Sequence, residues 1–481
     1  MNFRATSFFL GRLVVLVGLA EVAPLLCSLF YREWDAARAF GISAVLAAVT
    51  GAAMILYGRR GDAYRREGIL IVAGGWILAS ILGAVPYLMT GTIAGPVDAL
   101  FESASGFTTT GASIMTDIES SGRGILFWRS FTQWLGGMGI IVLFVALLPE
   151  LGPGARFLYK MEVPGPSAEA LQPRIHDTAK ILWKIYLALT GLQTVLLMLA
   201  GLNLYDALTH TFSTLSTGGF SPYNSSVAAF NSPLVEIIII VFMFVAGANF
   251  SLYYRVWRNR GWNLFRDSEF RIYAAIALGA AGFVTWDLMR RNAYDSLGEA
   301  SRDGLFQVLS LSTTTGYASA DFDTWPVLSR IILVVLMFIG GCAGSTSGSM
   351  KVMRMVIGVK AALREVRLIF SPNTVLSVFV SAKRVPDTVV RSVAGFFILY
   401  ISIWGLGALL LSIGGPDLIT TATASAATIG NIGPGLKAVG PTANFAFFSA
   451  PDKLLMIVLM WVGRLEVYAI AALFTRAFWR P

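Results

Sequence analysis

Residues 98–113 read DALFESASGFTTTGAS. The same kind of segment returns as DALTHTFSTLSTGGFS at 206–221, DGLFQVLSLSTTTGYA at 303–318 and LITTATASAATIGNIGPG at 418–435. Each is too polar and too short for a full membrane crossing, and each sits between two long apolar runs. In the first three an Asp precedes a Gly by 13, 12 and 13 residues: Asp98 to Gly111, Asp206 to Gly218 and Asp303 to Gly316. The spacing predicts a common unit. An Asp caps a short helix of roughly three turns, its carboxylate meeting free amides and the positive dipole end, and the helix breaks at a Thr/Ser-Gly tract. The fourth segment departs from this spacing, because Asp417 lies 13 residues before Gly430 and Thr420 lies 13 before Gly433.

Away from these segments the chain is apolar. Of its 481 residues 56% are hydrophobic and 14% charged, and the mean hydropathy of +0.68 excludes a soluble globular surface. The runs predict ten crossings, at residues 8–31, 36–58, 67–91, 125–150, 178–202, 232–257, 270–289, 326–350, 389–413 and 453–476. Each is near the length needed for a hydrocarbon layer of about 30 Å. The first, which holds Glu21 and Pro24, is too long for a signal-peptide core and reads as retained helix. Cys27 and Cys342 are the only cysteines, which leaves no disulfide framework and no thiolate metal site.

The net charge of +9 is not spread as a nucleic-acid surface would require. Basic residues gather in alternate loops: Arg59, Arg60, Arg65 and Arg66; Arg156, Lys160, Arg174 and Lys180; Arg258, Arg260 and Arg266; Lys351, Arg354, Lys360, Arg364, Arg367, Lys383 and Arg384; and Arg476 with Arg480. This positive-inside pattern places those loops and both termini in the cytoplasm, facing anionic lipid or an acidic partner. The four polar segments all lie on the other side. The units therefore share one orientation and can surround a single axis.

A short helix that enters the membrane and stops leaves its last carbonyls and the strand after it unsatisfied in lipid. Such backbone must line water or coordinate something. Carbonyl rings that replace a cation's hydration shell fit this need, and Gly permits successive carbonyls to face one way. One TTTG tract alone reads better as a polar turn between helices. Four at equivalent places predict an all-α integral membrane protein: four pseudo-fourfold helix/pore-helix/helix repeats around one central pore, plus an N-terminal helix hairpin. The expected division is 1–64 for the hairpin, then 65–173, 174–266, 267–384 and 385–481 for the repeats.

This arrangement resembles the Trk/Ktr potassium-transporter superfamily, most closely its TrkH branch. The most specific likenesses are WLGGMGI at 134–140, STGGF at 216–220, TTTGY at 313–317, GGCAGSTSGSMK at 340–351, NIGPGL at 431–436 and GRLEVY at 463–468. The resemblance implies potassium as the transported ion and filter glycines at Gly111, Gly218, Gly316 and Gly433. It implies carbonyl donors at Thr109 and Thr110, Ser216 and Thr217, Thr314 and Thr315, and Asn431 and Ile432. The NIGPG context selects Gly433 over Gly430, with Thr420 as the cap. Gly in all four tracts is linked in the family to potassium over sodium. Further implications are a bacterial inner-membrane location, a homodimer, and a soluble nucleotide-binding regulatory subunit (TrkA-like) on the cytoplasmic side. No nucleic-acid partner and no organic cofactor is expected.

Two features lie below the filter. The third inner helix would run from about residue 326 to 366, about 60 Å, and must break. The run containing Gly340, Gly341, Gly344, Ser345, Thr346, Ser347 and Gly348 is the place for it. The resemblance supports a gating loop there; a packed small-residue helix contact is the plainer reading. No strand precedes it and GK[ST] is absent, so it is not a phosphate loop. Arg464 lies within an apolar run, where an arginine costs about 2.5–3.5 kcal/mol on insertion scales. It either faces the pore and opposes cation flow or pairs with a carboxylate of another helix. Glu466, about 200° around the helix, cannot share its face.

Glu102 either orients the filter by hydrogen bonding or attracts cations at depth, while His176 and His210 read as structural. A coupled cation symporter of the same architecture is equally compatible with the sequence. A transporter of organic solutes would show inverted repeats. An intramembrane enzyme would need a nucleophile with its base, or a metal cluster, and the sequence offers neither.

Overall fold

The computed structural model describes residues 1–61, 64–139, 175–259, 263–374, 376–380, 383–465 and 467–479. Among the described residues, six helices are long and apolar enough to cross a membrane. Two form the N-terminal hairpin: Phe3–Phe30, interrupted at Glu21, and Trp34–Tyr57. They approach closely because small residues face one another. A Cβ on Gly11 would stand 2.6 Å from the Gly51 carbonyl, and one on Gly18 would stand 2.8 Å from Ala47 Cβ. The other four are the outer helices of the repeats, Arg65–Met89, Ile175–Leu199, Ser268–Arg290 and Asp387–Leu411. The chain is a multi-pass membrane protein.

Each outer helix is followed by a short helix, and these are the predicted pore helices: Pro96–Phe107, Leu204–Leu215, Leu297–Ser312 and Leu418–Gly430. Their caps differ from expectation. Asp98 and Asp206 sit in the first turn, behind the caps Gly95 and Asn203. Asp303 lies deeper in a longer helix capped at Ser296, and accepts hydrogen bonds from the Tyr294 and Ser319 hydroxyls. Only in the fourth does the Asp cap: Asp417 accepts from the amides of Ile419 and Thr420, so Thr420 is not the cap. The Asp98 carboxylate instead binds Lys453 of the last inner helix at 2.6 Å, tying the fourth repeat to the first.

The inner helices overturn the expectation of ten continuous crossings. They are Arg123–Gly137, Pro233–Ala246, Val327–Ile339 and Ala450–Arg464, with 13 to 15 residues each. At 1.5 Å per residue they reach about 20–23 Å, well short of the bilayer core. The second turns through 93° into Phe250–Val256 and the fourth through 117° into Val467–Leu473. The third stops at Gly340 and resumes as Val352–Phe370. Residues 140–150 of the first predicted inner span lie outside the described residues.

Helix breaks at this depth need partners for the freed carbonyls. The loop 340–351 supplies them. Cys342 N donates to Gly247 O (2.8 Å), Thr346 Oγ1 to Ala246 O (3.2 Å), and in return Phe250 N donates to Gly344 O (3.1 Å). Two tyrosines satisfy the preceding turn, Tyr253 donating to Val245 O and Tyr273 to Phe244 O. A two-stranded hairpin, Val378–Val380 against Lys383–Val385, packs beside Val352–Phe370 after the third repeat.

Candidate ion-conduction site

The chain after each pore helix makes the same turn. A non-glycine residue adopts a left-handed conformation: Thr109 (φ 55°), Thr217 (53°), Thr314 (60°) and Asn431 (52°). Two residues later a Gly does so: Gly111 (78°), Gly219 (77°), Gly316 (80°) and Gly433 (104°). The residue between them donates its amide five residues back into the helix: Thr110 to Ser105 O, Gly218 to Ser213 O, Thr315 to Ser310 O (each 2.8 Å) and Ile432 to Ala427 O (2.9 Å). Superimposed on sequence, this register corrects the second tract. Gly219, not Gly218, is the counterpart of Gly111, Gly316 and Gly433. Gly218 stands with Thr110, Thr315 and Ile432, and the Ser216/Thr217 pair moves to Thr217/Gly218. The separation from Asp206 to Gly219 is then 13, as in the first and third repeats. The fourth glycine is Gly433; Gly430 is the last residue of its helix.

The four turns close on one another. A Cβ on Gly111 would lie 2.1 Å from Gly218 O, one on Gly219 2.0 Å from Thr315 O, one on Gly316 2.0 Å from Ile432 O, and one on Gly433 3.0 Å from Thr110 O. The order runs from repeat 1 through 2, 3 and 4 back to 1. The four carbonyls thus stand at the seams between neighbouring repeats, and the first three seams leave no room for a side chain on the facing glycine. One cavity is lined by Gly111, Gly219, Gly316 and Gly433 together. Threonine hydroxyls brace the turns: Thr108 with Thr110 (2.8 Å), Thr313 with Thr315 (2.7 Å), and Asn431 Nδ2 donating to Thr110 Oγ1 (2.9 Å) across a seam. Thr109 Oγ1, Asn431 Oδ1 and Ser347 Oγ are buried and take no hydrogen-bond partner among the described residues.

Two glycines of WLGGMGI let the first inner helix pass between the pore-helix ends. A Cβ on Gly136 would meet Phe107 O at 1.8 Å, and one on Gly137 would meet Ser216 Cα at 2.6 Å. Gly463 does the same against Ile429 O at 2.0 Å in the fourth repeat.

Beneath the turns runs the loop from Gly340 to Lys351, with Gly340, Gly344, Ser349 and Lys351 at positive φ. It touches the third turn and the end of the fourth pore helix directly. Gly348 N donates to Thr314 Oγ1 (2.7 Å), and a Cβ on Gly348 would stand 2.2 Å from Gly430 O. Its two ends are gathered by one carboxylate oxygen, Glu269 Oε1, which accepts from Ala343 N (2.7 Å) and Met353 N (3.1 Å). Arg464 reaches it from the fourth repeat, donating to Thr346 O (3.0 Å), to Gly137 O (2.9 Å) and to Gly136 O. The guanidinium also lies 5.8 Å from the Trp76 ring centre. The loop is therefore linked to all four repeats. Glu466 lies outside the described residues.

Of the two readings of Glu102, the geometry favours orientation. Its carboxylate is fully buried, pairs with Arg129 at 2.7 Å, and accepts from Ser113 Oγ and Ile114 N just past Gly111. His210, also fully buried, bonds Asp206 O and Ser221 Oγ and packs between Tyr223, Phe230 and Tyr317. The side chain of His176 is outside the described residues. Sequence reasoning missed Arg129, Gln133 and Glu269. The signal for the first two was present as a charged and an amide side chain four apart on an inner helix read as membrane-spanning.

Comparison with known proteins places the chain. The TrkH family, described as cation transport protein, matches residues 39–480. The Trk system potassium uptake protein TrkH of Halomonas elongata is 39% identical over 487 residues, covering 100% of both chains. That of Escherichia coli is 37% identical over 485 residues, again covering 100% of each, and the Trk system potassium uptake protein TrkG of Escherichia coli is 36% identical over 483. The crystal structure of the potassium transporter TrkH from Vibrio parahaemolyticus matches with a TM-score of 0.90 at 36% identity over 100% of both chains.

The chain belongs to the TrkH family of cation transport proteins.

Proposed function

We propose that this chain takes up potassium across the bacterial inner membrane, the ion passing through the ring formed by its four glycine turns. The observation that carries the reading is the ring closure, each filter glycine packed against the carbonyl of the next repeat. The ligands are the carbonyls of Thr109 and Thr110, Thr217 and Gly218, Thr314 and Thr315, and Asn431 and Ile432. Gly111, Gly219, Gly316 and Gly433 hold their orientation. Carbonyl oxygens replace the water an ion sheds, and the C-terminal ends of four pore helices add negative potential at the same level.

Control lies below. The loop with Gly340, Gly341, Gly344, Ser345, Thr346, Ser347 and Gly348 is the gate, and Arg464 holds it closed while adding a positive charge on the pore's inner half. The division of the chain at residues 64, 173, 266 and 384 into hairpin and repeats goes with this reading, as do cytoplasmic termini. The relatives are named as parts of a Trk system, and the proposed partners are a second copy of this chain and a cytoplasmic nucleotide-binding subunit (TrkA-like).

Rubidium uptake into liposomes against a potassium gradient, with sodium competition, tests the proposal. Gly111→Ser and Gly433→Ser are expected to lower the preference for potassium over sodium. An unaltered preference in both variants would refute the filter assignment.

A further inference from the structure

The second filter tract is the one with two consecutive glycines, and only Gly219 has the dihedral reason for being Gly. Gly218 occupies the position held by Thr110, Thr315 and Ile432 in the other repeats, and it is not among the positive-φ glycines. Its reason is space. A Cβ there would stand 2.4 Å from Gln133 Cδ, 2.6 Å from Oε1 and 2.8 Å from Nε2. The carboxamide of Gln133, from the inner helix of the first repeat, fills the volume that a side chain fills elsewhere.

It does more than fill. Gln133 Nε2 donates to Gly218 O at 2.6 Å, and its Oε1 accepts from Phe220 N at 3.0 Å, so one amide clasps the backbone on both sides of Gly219. One turn earlier on the same helix face, Arg129 donates to Ser221 O (3.0 Å), with its guanidinium 3.9 Å from the Phe220 ring centre. Arg129 is in turn fixed by Glu102 at 2.7 Å. Gln133 is fully buried and Arg129 is 1% exposed. In the first and third repeats the equivalent brace is a local threonine pair.

We infer that Gln133, backed by Arg129, is a positioning residue that sets ion selectivity by holding the Gly218 carbonyl at its place in the ring. This rests on the proposed filter. A ring carbonyl must move inward to coordinate a cation smaller than potassium. A carbonyl clasped at 2.6 Å by a buried amide resists that movement, and sodium is the ion penalised.

The test is potassium-over-sodium flux ratio in proteoliposomes, with purified full-length protein of wild type, Gln133→Met, Gly218→Thr, the Gly218→Thr/Gln133→Ala double variant and Gly111→Ser. Gln133→Met keeps the volume and removes both hydrogen bonds. Its ratio is expected to fall about tenfold, the equivalent of about 1.4 kcal/mol. Gly218→Thr alone collides with Gln133 and loses flux. The double variant supplies a threonine hydroxyl at position 218 to pair with Ser216, in place of the threonine pairs of the first and third repeats, and regains flux and most of the ratio. An unchanged ratio in Gln133→Met overturns the inference, as does failure of both Gln133→Met and the double variant to yield folded protein, because the carboxamide would then serve assembly alone. If Gly111→Ser leaves the ratio unaltered, the filter reading itself is wrong. If Gly111→Ser alters it and Gln133→Met does not, only the brace is wrong.

Discussion

Replacing Arg464 by Ala is expected to raise ion flux, and the structure gives the size of the effect. The guanidinium donates to Thr346 O on the loop and to Gly136 O and Gly137 O on the first inner helix, so it holds the loop against a fixed wall. Of these three bonds, the one to Thr346 is what ties Arg464 to the loop, and it adds to the loop's own bonds to Ala246, Gly247, Thr314 and Glu269. A hydrogen bond to a charged donor contributes about 1.5–3 kcal/mol net. If that is lost from the closed state alone, the open fraction rises about tenfold to a hundredfold while it remains the minor state. Rubidium uptake into proteoliposomes at equal incorporated protein reads this directly. Arg464→Lys separates tether from charge. It keeps the positive charge but not the planar fork that spans Thr346 and Gly137, so a tether predicts raised flux for Lys as well as Ala. A purely electrostatic barrier predicts that Lys retains wild-type flux. Unchanged flux in Arg464→Ala would refute both the tether and the barrier.

Other changes probe the site from different sides. Gly219→Ala places a Cβ 2.0 Å from Thr315 O on a residue at φ 77°, and uptake should be lost whatever stands at position 133. Glu102→Gln leaves the buried Arg129 without its counter-charge, which costs about 3–5 kcal/mol; thermal unfolding of the purified protein should show a fall of that order. Glu269→Ala removes the oxygen that gathers both ends of the loop, and basal rubidium flux should rise, with potassium preference kept because the filter is untouched. Asp417→Ala removes the cap of the fourth pore helix at about 1 kcal/mol. The Thr420 hydroxyl holds the Asp417 carboxyl below its ordinary value, so this contribution is present at neutral pH and is lost as pH falls through that lowered value. Unfolding midpoints of wild type and variant should therefore converge in acid.

Much of the architecture was legible in the chain itself because it follows from local chemistry. Apolar runs long enough for a bilayer and four Thr/Ser-Gly tracts each carry their meaning within about twenty residues. The break in the third inner helix was equally readable, since Gly340 to Gly348 cannot continue a helix in lipid. The interruptions of the second and fourth inner helices were not. Their apolar letters run on past Gly247 and Gly463, and the breaks exist because a loop from another repeat or a neighbouring pore helix occupies the space there.

The second tract shows where the boundary falls. Glycine serves either a backbone angle or a close approach, and STGGF does not say which glycine does which. The resemblance points to Gly218, 12 residues from Asp206 where the first and third repeats have 13. The fold assigns the angle to Gly219 and the close approach to Gly218, because Gln133, 85 residues away in sequence, lies against it. The partners of Arg464 are set in the same way, more than a hundred residues from it. The sequence by itself thus determined the solvent, the number of repeats and the kind of backbone that follows each pore helix. Which atoms stand opposite one another at the ring and beneath it was decided only by tertiary packing, since contacts between repeats leave no period and no spacing along the chain.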